Sequence, residues 1–103
     1  MKYLRTFENK RGPQMGDYVI CEEQYFSYDE HKNYFNFLDN NIGIIVNRDS
    51  GDGKFFVEYS NIPEEIKSYF KEDITYFDID EIVEWSDKKK DLELILNTRK
   101  YNI

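Results

Sequence analysis

Ile42-Gly43-Ile44-Ile45-Val46-Asn47-Arg48-Asp49-Ser50-Gly51-Asp52-Gly53-Lys54-Phe55-Phe56-Val57-Glu58-Tyr59 is the stretch that decides the fold. Two runs rich in β-branched and aromatic residues flank a turn built from Asn, Asp, Ser and Gly, which is a hairpin signature. Gly51 and Gly53 are able to take the positive φ such turns use, and Asp49 and Asp52 are placed to bond the local backbone. The first strand, Ile42 to Asn47, is aliphatic and reads as central. In the second, Lys54 to Tyr59, alternation puts Phe55, Val57 and Tyr59 on one face and Phe56 and Glu58 on the other. Both faces carry apolar residues, so both need cover. Phe55, Val57 and Tyr59 are expected inward, with Phe56 beneath a helix.

Upstream, Gly16-Asp17 launches a strand through Tyr18-Val19-Ile20-Cys21. Glu22 to Asn41 is a polar insertion laced with aromatics. Asp29 suits the cap of a helix running to about Asn40, with Tyr34, Phe37 and Leu38 facing inward. Downstream, Pro63-Glu64-Glu65 opens a short lid helix whose stripe is Ile66, Tyr69 and Phe70. Ile74 to Phe77 reads as a strand, Asp78-Ile79-Asp80 as a turn, and Glu81 to Trp85 as the last strand. Ser86 or Asp87 caps a C-terminal helix that docks through Leu92, Ile95, Leu96 and Arg99. Trp85 is expected to pack against Leu92 and Leu96 of that helix. Lys88-Lys89-Lys90 sits in its first turn, where positive charge is unfavourable, and reads as a solvated face. Residues 1 to 14 form an amphipathic segment, with Tyr3, Leu4 and Phe7 at helical spacing, and a Gly12-Pro13 linker. One domain over residues 15 to 103 follows.

The 103 residues fit a single domain with a small core, enlarged by nine Tyr, eight Phe and one Trp. Charge is uneven: residues 1 to 16 carry four bases and one acid, the remainder ten bases and twenty acids. An acidic body repels phosphate, which argues against direct nucleic-acid binding. Cys21 stands alone and has no disulfide partner; it reads as a small buried apolar residue. Lys2 is not followed by an apolar signal core, and no stretch approaches the roughly 20 apolar residues of a membrane span. The expected compartment is a reducing cytoplasm. His31, the single histidine, lies between Glu30 and Lys32 and reads as solvated. With no nucleophile–base pair, no Gly-rich phosphate loop and no metal-ligand spacing, the expectation is a protein without catalysis, cofactor or metal.

Gly16-Asp17-Tyr18-Val19, Gly43-Ile44-Ile45-Val46, Phe55-Phe56-Val57-Glu58-Tyr59 and Ile82-Val83, in that order, resemble the SH3-like small barrels, the class that includes KOW and Tudor domains. The resemblance spans about residues 15 to 85. It implies an α+β fold: a small SH3-like β-barrel of about five strands with an inserted short helix, a lid helix and a C-terminal helix. The chain is also similar to small proteins of large tailed phages. Its first eight residues resemble the leaders of phage-head proteins that are cut after a Glu, here Glu8, with Thr6 where those leaders carry Leu or Ile. The function expected is a non-catalytic protein-interaction module, phage or mobile-element encoded, binding a protein through an aromatic and acidic surface of Tyr18, Phe56, Glu58, Tyr59 and Tyr76. An aromatic cage for a methylated cation would draw on Tyr18, Phe56, Tyr59, Tyr76 and Trp85, with Glu58 as the acid. The alternatives are an acidic inhibitor of a host nucleic-acid-binding factor and a packaged phage-head protein.

Overall fold

The computed structural model describes residues 12–25 and 27–101, with the side chains of Lys100 and Tyr101 left aside. The amphipathic segment expected before residue 12, with its Glu8 leader site, lies outside the described residues. Five strands form one antiparallel sheet: β1 (Tyr18–Cys21), β2 (Gly43–Arg48), β3 (Phe55–Glu58), β4 (Ile74–Phe77) and β5 (Ile82–Ser86). Their order across the sheet is β4-β3-β2-β1-β5, so the last strand returns beside the first. β4 and β5 are the two edges, and the sheet stays open between them. Helices α1 (Tyr28–Asn40) and α2 (Lys89–Tyr101) complete an α+β fold, with two 3-10 helices at Glu64–Tyr69 and Ile79–Glu81.

The central hairpin forms as its residues dictate. Ile44 pairs with Glu58 and Ile45 with Val57. The Asp49 carboxylate accepts from the Gly51 N–H at 2.8 Å, and Gly53 takes a φ of 74°. Gly51 does not need positive φ, unlike the expectation. Val46 is an extra residue against β3, and Val83 a second one against β1; such bulges bend a sheet. A second tight turn, Lys71 to Ile74, uses Glu72 and Asp73 at φ 53° and 69°. Nothing in their chemistry marks it, because Asn-Gly is the usual choice there.

Alternation sorts the sheet into two layers. Val19, Cys21, Ile45, Phe55, Val57, Phe77 and Trp85 share a buried cluster with Tyr34, Phe37 and Leu38 of α1, and with Ile62 and Ile66. Phe55, Val57 and Tyr59 therefore point inward, as their spacing predicts. Ile20 and Leu92 are fully buried but stand outside that cluster, which places α2 over the opposite face of β1 and β5. Two expectations fail here. Trp85 is buried, yet it pairs with Val19 on the α1 side, and the strand itself separates it from Leu92. Phe56 is half-buried against the Tyr76 ring, 6.0 Å between centroids, rather than beneath a helix.

The Gly16-Asp17 launch has a physical basis. Asp17 is buried, and its carboxylate accepts from the Gln14 N–H at 2.9 Å while the Gly16 N–H bonds the Ile45 carbonyl. Pro13 is buried as well, so the packed body reaches into the segment expected to be linker. At the other end, the Ser86 hydroxyl accepts from the Lys88 N–H and donates to Asp91 at 2.7 Å. Asp91 thereby sits in the first turn of α2 and offsets the lysine run.

Candidate functional site

Of the five residues expected to bind a partner, Tyr18, Glu58 and Tyr59 line one concavity, and Phe56 and Tyr76 lie elsewhere. Tyr59 is on the core side, 2 % exposed, with its ring 5.4 Å from Phe37 and 5.9 Å from Phe70. Among the described residues its buried hydroxyl has no oxygen or nitrogen partner; its neighbour is the Cys21 thiol, a weak hydrogen-bonding group. Tyr18, Glu58 and the edge of Tyr59 line a shallow concavity of about 340 Å³ beside Ile44, Asp73 and Lys89. Phe56 and Tyr76 lie two and three strands away from Tyr18. Tyr18, Phe56, Tyr59, Tyr76 and Trp85 therefore do not gather into one cage: Trp85 packs in the core cluster, and Phe56 and Tyr76 are strands away from the concavity of Tyr18 and Tyr59.

Only Tyr76 belongs to the more enclosed concavity, about 390 Å³, at the open seam of the sheet. Four tyrosines wall it: Tyr25 after β1, Tyr34 from α1, Tyr69 from the first 3-10 helix and Tyr76 from β4. Tyr34 and Tyr69 stack at 4.2 Å with planes 6° apart. Burial pushes the Tyr34 hydroxyl up, and a bond to Thr75 holds it partly back. Tyr69 in turn meets His31, whose Nδ1 contacts the tyrosine hydroxyl. His31 is therefore half-buried and engaged, not simply solvated; its backbone leaves the helical region at φ −132° and kinks α1 to bring the ring over.

Two carboxyls, Glu23 and Glu81, face the same space. Glu81 is 3 % exposed and fixed at both oxygens, accepting from Asp78 N–H at 2.9 Å and from Gln24 N–H at 3.0 Å. The first of these is one half of a capping box on the Ile79–Glu81 turn. Partial burial, and then the neighbouring Glu81 charge, push the Glu23 carboxyl up. At the rim, Lys54 Nζ donates to Asp78 at 2.8 Å and stands 5.5 Å from the Tyr76 ring centroid. Tyr25 donates its hydroxyl to the other Asp78 oxygen at 3.1 Å. These two donors, Lys54 first, hold the Asp78 carboxyl low, and the same bond raises Lys54.

Glu23, Tyr25, Tyr34, Tyr69 and Glu81 were not expected to bind a partner, Tyr34 and Tyr69 being expected only as inward helix positions. They come from four separate segments, and only the capping-box spacing of Asp78 and Glu81 is a local signal. Cys21 is buried and free of disulfide, as expected, and desolvation pushes its thiol far above the ordinary range. Among the described residues no group of His, Cys, Asp and Glu is arranged to hold a metal ion. Among them, too, no helix is long and apolar enough to cross a membrane. Comparison of the chain with protein-family models, curated proteins and solved structures returns no match.

Proposed function

We propose that this protein is a non-catalytic interaction module that binds a protein partner through the tyrosine-walled, acid-rimmed concavity at the open seam of its sheet. The observation that carries the reading is the seam itself: four tyrosines and two carboxyls around about 390 Å³. Tyr25 and Tyr76 are 66 % and 56 % exposed there. Tyrosine is enriched in binding surfaces because it brings a large rigid contact area with a polar tip. A catalytic reading gains nothing from Glu81, whose two oxygens are tied to backbone N–H groups and serve as a fixed charge. An SH3-like build suits the reading. The first strand lies between the second and the last, and two bulges bend the sheet, as a small partly open barrel requires. An origin in a tailed phage or mobile element, and action in a host cytoplasm, belong to the same proposal and rest on the sequence resemblance.

The test is capture of a partner by the immobilised protein, compared with Tyr25→Ala and Tyr76→Ala. Both tyrosines are exposed, so the variants keep the fold. Retention lost in the variants supports the seam as the binding surface. A partner held equally by parent and variants, and released by salt of about 0.5 M, would instead favour acidic mimicry of a nucleic-acid phosphate surface.

A further inference from the structure

The concavity has a defined electrostatic demand. Glu23 and Glu81 stand side by side, and neither makes an ion pair among the described residues. The lining base, Lys54, is already matched by Asp78. An anionic ligand meets net repulsion here, and a neutral apolar one leaves the charge of the hydrogen-bonded carboxyl pair without a counter-ion. Tyrosine rings present a negative face that attracts a cation. The molecule displays this pairing at its own rim, where the Lys54 ammonium lies between an Asp78 oxygen at 2.8 Å and the Tyr76 ring at 5.5 Å. A bare metal ion does not answer the demand, since no metal-holding group of side chains exists among the described residues. The volume suits one long side chain rather than a helix or strand.

We infer that the concavity takes a single cationic side chain of the partner, a lysine ammonium or an arginine guanidinium, walled by Tyr25, Tyr34, Tyr69 and Tyr76 and neutralised by Glu23 and Glu81. This rests on the module reading and names the chemistry of its ligand. The partner is thus a protein that presents an exposed basic residue, and the seam is where that residue anchors.

The experiment is an amide-detected NMR titration with a blocked Gly-Lys-Gly peptide and its neutral Gly-norleucine-Gly counterpart. The expected shifts fall on residues 23–25, 68–69, 75–76 and 81, with the neutral peptide about tenfold weaker. Glu23→Gln should weaken the lysine peptide about threefold to tenfold and leave the norleucine peptide unchanged. Tyr76→Ala, at an exposed edge position, should weaken the lysine peptide as well. Equal binding of both peptides at this site would overturn the cationic ligand while leaving the interaction module standing. Shifts confined to other surfaces would overturn it too, and the partner-capture test above would then decide the module reading separately.

Discussion

Gly43→Ala isolates the packing of the central hairpin in one methyl group. Gly43 opens β2 across from Val19, and its backbone is not in the left-handed region, so alanine meets no conformational strain. The obstacle is space. A Cβ there falls 2.4 Å from Val57 Cγ1 and 2.9 Å from Tyr59 Cζ. Carbon atoms rest at roughly 3.5–4.0 Å, so the neighbours must retreat by about 1 Å or more. Neither can do so freely. Val57 is fully buried and β-branched, and Tyr59 is packed between Phe37 and Phe70. Overpacking of this kind costs about 1–3 kcal/mol, and the severity of the clash points to the upper half. Removing a glycine from a strand returns about 0.5–1 kcal/mol. The net loss is about 2 kcal/mol, which lowers the midpoint of a domain this size by roughly 8–16 °C. Thermal unfolding followed by circular dichroism measures it. Val57→Ala removes the clashing Cγ1, so the double variant should be more stable than the sum of the two single losses by at least about 1 kcal/mol. A Gly43→Ala midpoint within about 2 °C of the parent, or strict additivity in the cycle, would refute the close approach of β2 to β3 side chains.

The same strand supplies a register test: Val57→Asp places a charge in the core and should leave the protein unfolded, whereas the exposed Glu58→Gln should shift the denaturation midpoint by less than about 0.5 kcal/mol. Cys21 should resist thiol reagents until denaturant is added, because burial holds it as the neutral thiol; stoichiometric labelling of the native protein within minutes would contradict its placement. Glu23→Gln should stabilise the protein at neutral pH. The folded state raises the Glu23 pKa, so its contribution is present below the ordinary carboxylate range and is lost as pH rises through the folded value. The advantage of the variant should accordingly shrink toward about pH 4 and be largest near pH 7, as read from denaturation midpoints across pH; an advantage independent of pH would remove the carboxyl pair as its cause.

Local chemistry made the hairpin, the inserted helix and the edge strand β4 readable in advance. Asp49 and Gly53 occupy a turn that few other residues tolerate, and Tyr34, Phe37 and Leu38 recur at helical spacing. What failed to be legible was the side on which a residue lands once two layers compete for it. Trp85 is close in sequence to α2, but alternation in β5 turns it toward α1 and leaves α2 to Ile20 and Leu92. The turn at Glu72 and Asp73 was invisible because the local Lys71–Ile74 bridge holds both residues at positive φ, which Asp adopts occasionally and Glu rarely. Several tyrosines do reach the surface, as their number in a small domain led one to expect. Which of them gather depends on α1, a 3-10 helix and an edge strand meeting at one seam, and no spacing in the chain encodes that meeting.

The open seam also explains why Glu23 and Glu81 are where they are. A fully closed barrel would bring β4 and β5 into backbone pairing and cover the rings of Tyr34 and Tyr69. Here the turn at Ile79–Glu81 connects the two edges, and side chains occupy the space between them. For stability alone, apolar or amide side chains would serve that space better than a pair of carboxyls, one of which is pushed up by burial and by its neighbour. Glu81 has a local reason to be acidic, since it caps its own turn. Glu23 caps no turn: its carboxyl accepts from the Tyr25 N–H at a long 3.3 Å and meets the Glu81 carboxyl. A residue that weakens the fold without structural return is the usual mark of a binding site. The two effects of Glu23→Gln should therefore run in opposite directions, a higher unfolding midpoint at neutral pH together with weaker uptake of the lysine peptide. Stabilisation without any loss of binding would mean that Glu23 is a tolerated surface acid and that the cation rests on the tyrosines and Glu81 alone.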